Sequence, residues 1–457
     1  IKGSISGNAS AISNPSYQFN FSINNGSFKK KNSTIIFSES FLKGKISNGA
    51  ENKLSSTLIE AEQFETKLNQ SSIKGSLSIK NLLKPEYIFN GSVDFLLKDA
   101  LDFFEAKDIE NGNGKIQSNL SLTGKLEQFE KYTLADFKKS TLKGQVNLEN
   151  VSLDLPKESL QISNTNGLLT LQNSNFELDK FSSSINENII HVKGKLYNIV
   201  PFILSDKEEL ISDLVLSSDH INLNSLIAES KSSDSVPFKF PSRLNIYLET
   251  KFKSLSYNTL QVNSLNGDIM MKDGRLDFRN LQFFSQGGEI NGDFFLHEKN
   301  DNLSFYANSK LLNIDINTVF SSFKNFNQKT ITSNNISGSS TSDLNLSFSM
   351  DRYFNLKLAS LKLDADIIID SGRLKNVKAL EALSKFIELD ELKDIQFKTL
   401  RNQLSIQDCT LTIPKFEIQS SALNLSVEGR HKFNNTLDYH FVILLNEILG
   451  NKVKKPK

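Results

Sequence analysis

Residues 265–296 read LNGDIMMKDGRLDFRNLQFFSQGGEINGDFFL. Three alternating runs carry its apolar side chains: Ile269 and Met271, then Leu276, Phe278 and Leu281, then Ile290, Phe294 and Leu296. Alternation sends every second side chain of an extended strand to one face. Between the runs stand Lys272-Asp273-Gly274 and Ser285-Gln286-Gly287-Gly288, and such Gly-containing pairs between alternating runs are strong hairpin signals. The stretch predicts an antiparallel meander with one apolar face. Something apolar must cover that face, and what covers it is the functional question.

Outward from this stretch the same pattern recurs. Tyr17, Phe19, Phe21 and Ile23 alternate, Asn24-Asn25-Gly26 reads as a hairpin turn, and Phe28, Ile35 and Phe37 follow. The form x-Gly-x-apolar returns at Gly44, Gly75, Gly91, Gly124, Gly144, Gly194 and Gly292. Glycine within a strand marks bulges, bends or close backbone approach. The spacing is irregular, which argues against a fixed-period solenoid such as a parallel β-helix. Further strands are predicted at 144–155, 167–178, 189–199, 244–248, 255–262, 303–307, 344–348 and 361–369, with six more from 395 to 445. Helical spacing predicts helices over 93–107, 132–140 and 375–389, and places Phe320, Phe323 and Phe326 on one helical face. The polar segment SKSSDSV, 230–236, followed by Pro237 and Pro241, divides the chain into 1–229 and 237–457, read as two parts of one continuous sheet.

The totals exclude several classes. Lys plus Arg number 53 against 52 Asp plus Glu, a net charge of +1. No global field draws this chain to nucleic acid, and no nucleic-acid partner is expected. A single cysteine, Cys409, permits no intrachain disulfide and no cysteine metal cluster; it reads as a small buried hydrophobe. No apolar run reaches the ~18 residues that span a bilayer as a helix. The chain opens at Ile1 in strand-like sequence, so a fragment is expected, with any signal or anchor outside it.

Catalytic and metal motifs do not emerge. His191, His220, His297, His431 and His440 never take the helical i, i+4 spacing of a metal pair. There is no G-x-S-x-G elbow and no phosphate-binding loop; Gly112-Asn113-Gly114-Lys115 has the glycines alone. Carboxylates alternate with apolar residues along strands, the pattern of a solvated face rather than of a paired acid and base. Neither an enzyme nor a cofactor is expected. The basic tail from Lys452 to Lys457 reads as a solvated terminus, with attraction to anionic head groups as the alternative.

Two segments carry a resemblance. The run ISNTNGLLTLQNSNFELDKFSSSINENIIHVKGKLYNIVPFIL (162–204) and then DLVLSSDHINLNSLI (213–227) resemble the repeated strand grammar of AsmA-like proteins. The end of the chain, LKLDADIIIDSGRLKNVKALEALSKFIELDELKDIQFKTL and then CTLTIPKFEIQSSALNLSVEGRHKFNNTLDYHFVILL, is more similar still to the C-terminal region of that family: a strand, an inner helix, and a run of final strands. The resemblance is strongest over 358–445 and rests on pattern more than on invariant residues. It implies a member of the AsmA and TamB superfamily of the Gram-negative envelope. The implied fold is mainly β, a long curved antiparallel sheet forming an elongated, taco-like groove with an apolar interior and few short helices. The implied setting is the periplasm, with an inner-membrane anchor in an N-terminal segment absent from this chain. Its partners would be phospholipid acyl chains and the inner and outer membranes or their protein components.

The resulting expectation is a groove that shields acyl chains and supports phospholipid transport between the two membranes. Its lipid-facing candidates are Ile269, Met271, Leu276, Phe278, Phe294 and Leu296. The competing expectation is a structural or adhesive β-rich surface protein with a closed core and no lipid cargo.

Overall fold

Alternation becomes strand along most of the described chain, and eight of the short polar linkers become two-residue hairpins. A computed structural model describes residues 1–443 other than 8, 11–13, 30–34, 105, 107–108, 128–131, 157–158, 227–236, 328, 330, 379–383, 385–388, 422–423 and 435. The protein is mainly β, 69% strand and 11% helix, and its 24 described strands belong to one open sheet. By contacts the chain divides into two compact units, Ile1–Ser218 with Arg243–Leu248, and Asp219–Ser242 with Glu249–Lys457. The polar segment 230–236 lies outside the described residues.

The first unit is a meander of twelve strands. In chain order they are β1 (Lys2–Ser6), β2 (Ser16–Lys29), β3 (Ile36–Ser47), β4 (Leu58–Leu68), β5 (Ser71–Lys80), β6 (Glu86–Leu96), β7 (Glu110–Lys125), β8 (Thr141–Leu155), β9 (Leu160–Gln172), β10 (Asn175–Ile185), β11 (Asn188–Tyr197) and β12 (Leu210–Ser218). Each pairs antiparallel with the next. The second unit opens with β13 (Ile221–Asn222), parallel to β14 (Leu244–Tyr257). It continues through β15 (Leu260–Lys272), β16 (Arg275–Ser285), β17 (Gly288–Lys299), β18 (Asn302–Asp315), β19 (Ile336–Met350), β20 (Lys362–Lys375), β21 (Asp394–Gln407), β22 (Thr410–Gln419), β23 (Asn424–Lys432) and β24 (Leu437–Ile443). From β15 onward every strand pairs antiparallel with its successor.

The predicted hairpins of the opening stretch form. Lys272 pairs with Arg275 across Asp273 (φ 49°) and Gly274 (φ 72°). Ser285 pairs with Gly288 across Gln286 (φ 54°) and Gly287 (φ 78°). Left-handed geometry at both central residues lets a two-residue turn follow the strand twist. The same geometry corrects Cys409, which is half-buried and sits with Asp408 in the left-handed turn between Gln407 and Thr410. It is a turn residue and not a core hydrophobe.

Asn24-Asn25-Gly26 is also corrected. β2 runs straight through it; Asn25 is left-handed (φ 54°), and the pairing with β3 shifts register between Ile23 and Gly26. It is a bulge, one extra residue absorbed within a continuing strand. Comparable bulges follow Leu148, Leu178 and Phe278, each with a left-handed residue, Asn150, Lys180 or Asn280. Neighbouring side chains hold two of these open backbones. Asn150 N–H donates to Asn166 Oδ1 (2.9 Å) and Asn280 N–H to Asp293 Oδ1 (2.8 Å), so the groups displaced from the ladder stay satisfied.

The strands predicted at 244–248 and 255–262 also change: β14 runs through to Tyr257, and Leu260 begins β15. The helices are shorter than helical spacing predicts. Val93 to Leu96 belong to β6, and α1 spans only Leu97–Phe104, because Val93 is taken up in the ladder opposite Ile73 and Ser118. α2 (Leu134–Lys138) fills the second site, capped by Thr133 and Asp136 in a reciprocal capping box. Three further short helices are α3 (Ile199–Leu204), α4 (Leu223–Leu226) and α5 (Ile316–Ser322). Phe320 lies on α5, but Phe323 and Phe326 do not continue it, since Lys324, Asn325 and Phe326 turn left-handed (φ 51°, 53° and 53°). Most of the predicted 375–389 helix lies outside the described residues; Lys375 ends β20, and α6 is Leu389–Leu392.

Candidate functional site

The six candidate side chains come together. Met271 pairs with Leu276 and Ile269 with Phe278 across β15 and β16; Leu276 pairs with Leu296 and Phe278 with Phe294 across β16 and β17. They form two parallel cross-strand rows on one face. The first row continues through Phe305 and Phe348. The second continues through Ala307, Leu346, Leu363 and Ile406. Seven strands at about 4.8 Å carry the second row across roughly 30 Å.

Aromatic rings tie the rows together, with Phe294 and Phe305 centroids 6.5 Å apart and Phe305 stacked on Phe348 at 4.8 Å. The six candidates are half-buried, none of them closed off, whereas Leu303 on the same face at the end of β18 is fully buried (0% exposed). Among the described residues, α5 lies against β18 and β19 and α6 against β21, and the short turn at 358–360 packs on β19 next to Phe348, with Ser349 N–H donating to Ser360 Oγ (2.8 Å). Phe305, Phe348, Leu346 and Leu363 escaped the sequence reading. Alternation gives their parity, but only strand register aligns them with Phe278.

The recurrent glycines lie on this apolar face and its counterpart in the first unit. A Cβ at Gly91 would stand 2.5 Å from Phe89 Cζ, and one at Gly44 2.8 Å from Phe21 Cζ. Rings thus lie over Gly44, Gly91 and Gly124, whereas at Gly75, Gly144, Gly194 and Gly292 the nearest atom is a carbonyl oxygen of the adjacent strand. This close approach is the physical content of the x-Gly-x-apolar form.

The reverse face of the meander is charged. Arg275 donates to Asp277 through Nε and Nη2, both at 2.7 Å, and Arg279 Nη2 donates to the same carboxylate at 3.2 Å. Arg279 also pairs with Asp293 (3.5 Å). The Asp277 side chain is 15% exposed; the hydrogen bonds from Arg275, against the opposing effect of burial, hold its carboxyl below the usual carboxylate range. Arg275 lies over the Phe295 ring (4.5 Å), which stacks on Tyr306 (4.7 Å).

In the first unit a shallow, open hollow of about 340 Å³ lies on the polar side of β5 to β9. Lys74, Ser92, Asn119 and Gln145 form one of its cross-strand rows. Asp94, Gln117 and Asn147 form another, with Leu168 at its end. None of these residues stands out in the sequence, since a polar face of alternating strands looks the same whether flat or hollow.

Among the described residues no group of three His, Cys, Asp or Glu side chains is placed to hold a metal ion. Among them, too, no helix is long and apolar enough to cross a membrane. The chain matches no protein-family model, no curated protein and no solved structure.

Proposed function

We propose that the apolar rows shield phospholipid acyl chains, and that the protein supports phospholipid movement between the inner and outer membranes of a Gram-negative envelope from the periplasm, as its resemblance to AsmA-like proteins implies. One observation carries the reading: two continuous apolar rows, centred on Phe278 and Phe294, in which every residue but Ala307 keeps part of its side chain exposed. Removing a methylene from water is worth about 0.8 kcal/mol, so two chains with about 30 methylenes gain on the order of 20 kcal/mol in full contact. Along a row of similar side chains a lipid slides without losing that contact. The role is non-catalytic, and it belongs to the rows rather than to a single residue.

The test is lipid extraction from the purified protein, followed by mass spectrometry, with a photoreactive side chain at position 278. Phospholipid in the extract and a lipid adduct at 278 are expected. Phe278→Asp, in the chain without the photoreactive group, should strip phospholipid from the extract while circular dichroism stays that of the parent. An extract without phospholipid, together with no adduct, sinks the proposal. That outcome favours the second reading, a structural or adhesive surface protein, for which the polar hollow between Lys74 and Leu168 is the feature to pursue.

A further inference from the structure

We infer that the turn bearing Phe323 and Phe326 is a foot set on an anionic bilayer surface. The inference rests on the lipid-handling reading for its use, but its chemistry stands on this turn alone. Phe323 and Phe326 are each 55% exposed, and their rings stack with centroids 5.7 Å apart and planes 10° from parallel. Phe320 braces Phe326 edge-on at 5.3 Å. Single exposed apolar side chains are ordinary on a protein surface; two large rings stacked at the tip of a turn form a patch that asks for a cover.

The display is built rather than loose. Phe326 is left-handed (φ 53°) and ends three consecutive residues of that conformation, which a bulky side chain adopts only when its surroundings impose it. The surroundings are specific. Asn325 Oδ1 accepts from Ser333 N–H (2.8 Å), Asn317 Nδ2 donates to the Ser333 carbonyl, and Ser322 Oγ donates to Gln286 Oε1 (2.9 Å) in the β16–β17 turn. Phe326 N–H closes on the Phe323 carbonyl at 2.9 Å.

Charge selects the partner. Residues 316–342 contain Lys324 and Lys329 and no Asp or Glu, a local excess of positive charge in a chain whose totals nearly cancel. A membrane interface accommodates aromatic rings at headgroup depth, and lysines beside them gain from anionic headgroups. Stacked exposed rings flanked by lysine, with Asp315 engaged in capping α5, fit that surface.

The chain has no tryptophan, so Phe323→Trp gives the full chain a single reporter at the tip. With vesicles of phosphatidylcholine and phosphatidylglycerol its emission should shift to the blue, become protected from iodide and be quenched by brominated acyl chains. The double variant Phe323→Ser, Phe326→Ser, with an unchanged circular dichroism spectrum, should lose about tenfold or more in vesicle co-sedimentation, and Lys324→Glu should weaken it. Unchanged Trp emission with these vesicles overturns the inference. An equal shift on pure phosphatidylcholine overturns the anionic selection. Extracted phospholipid without vesicle binding would remove the foot and leave the shielding rows; vesicle binding without extracted phospholipid would do the reverse.

Discussion

The apolar face around Phe95 in the first unit and the one around Phe278 in the second are made from the same alternating residues, yet one is closed and the other open. Ile35, Phe37, Leu68 and Phe95 are 4–8% exposed, with Ala100 and Phe103 of α1 packed against them. Phe103 meets Phe37 edge-on at 5.9 Å. The cover is local. α1 begins at the residue after β6 ends and folds back over its own strands, pinned where Asp99 accepts from Ser71 Oγ (2.5 Å) and Asn69 Nδ2 (2.8 Å). Around Phe278 the strands are joined by two-residue turns, which leave no chain to fold back. At these two sites the length of the neighbouring connection separates the closed face from the more open one, although Leu303, one residue past a two-residue turn, is itself fully buried.

The largest expected effect tests that contrast directly. Phe95→Ala should destabilise by about 3–5 kcal/mol, as emptying a closed core site does. Phe278→Ala, at a partly buried site, should cost less, about 1–2 kcal/mol. Urea denaturation of both variants measures the difference, and equal losses would mean that the Phe278 face is as closed as the other.

Glycines sharpen the comparison at intermediate scale. A Cβ at Gly75 would lie 2.3 Å from the Asn90 carbonyl oxygen on the adjacent strand, so Gly75→Ala should cost about 1–3 kcal/mol through forced strand separation. At Gly274 the nearest atom is 3.9 Å away but φ is +72°, so Gly274→Ala meets no clash and should cost about 1 kcal/mol of backbone conformation. Thermal denaturation should rank them in that order. The reverse ranking would place the role of strand glycines in conformation rather than in close approach.

The smallest effect concerns the charged reverse of the Phe278 face. Because the folded-state pKa of Asp277 is lowered by Arg275, its contribution is complete above the ordinary carboxylate value of 3.8 and is lost as pH falls through the lower, folded value. Arg275 is 43% exposed, so the contribution is under about 1 kcal/mol. Stability of the parent and of Asp277→Asn should differ near neutrality and converge below pH 3.8. A difference that persists in acid would assign the role of Asp277 to packing.

Much of this was legible in the sequence. Asp273-Gly274 and Gln286-Gly287 announced their hairpins, and the parity of Ile269, Phe278 and Phe294 put them on one face, because a strand alternates whatever it pairs with. Leu276, Phe278 and Leu281 read as one alternating run, and the three-residue step from Phe278 to Leu281 within it is a bulge: Asn280 takes up the extra residue and both side chains keep their place in the apolar pattern. Asn25-Gly26 misled in the opposite direction. Left-handed Asn followed by Gly serves a turn or a bulge equally well, and only the partner strand, with Gly26 opposite Ser40, distinguishes them. Helical spacing at 93–107 failed over its first four residues for a similar reason, since ladder bonds to β5 and β7 outweigh the weak helix preference of a short segment.

By itself, then, the sequence determined the strands, the faces of their side chains and the tight turns, since these follow from backbone geometry over a few residues. Tertiary structure alone decided which rows align across Phe278, which glycines lie beneath rings, and which apolar face was left uncovered. Those depend on register and on the reach of neighbouring connections, both set between segments distant in the chain.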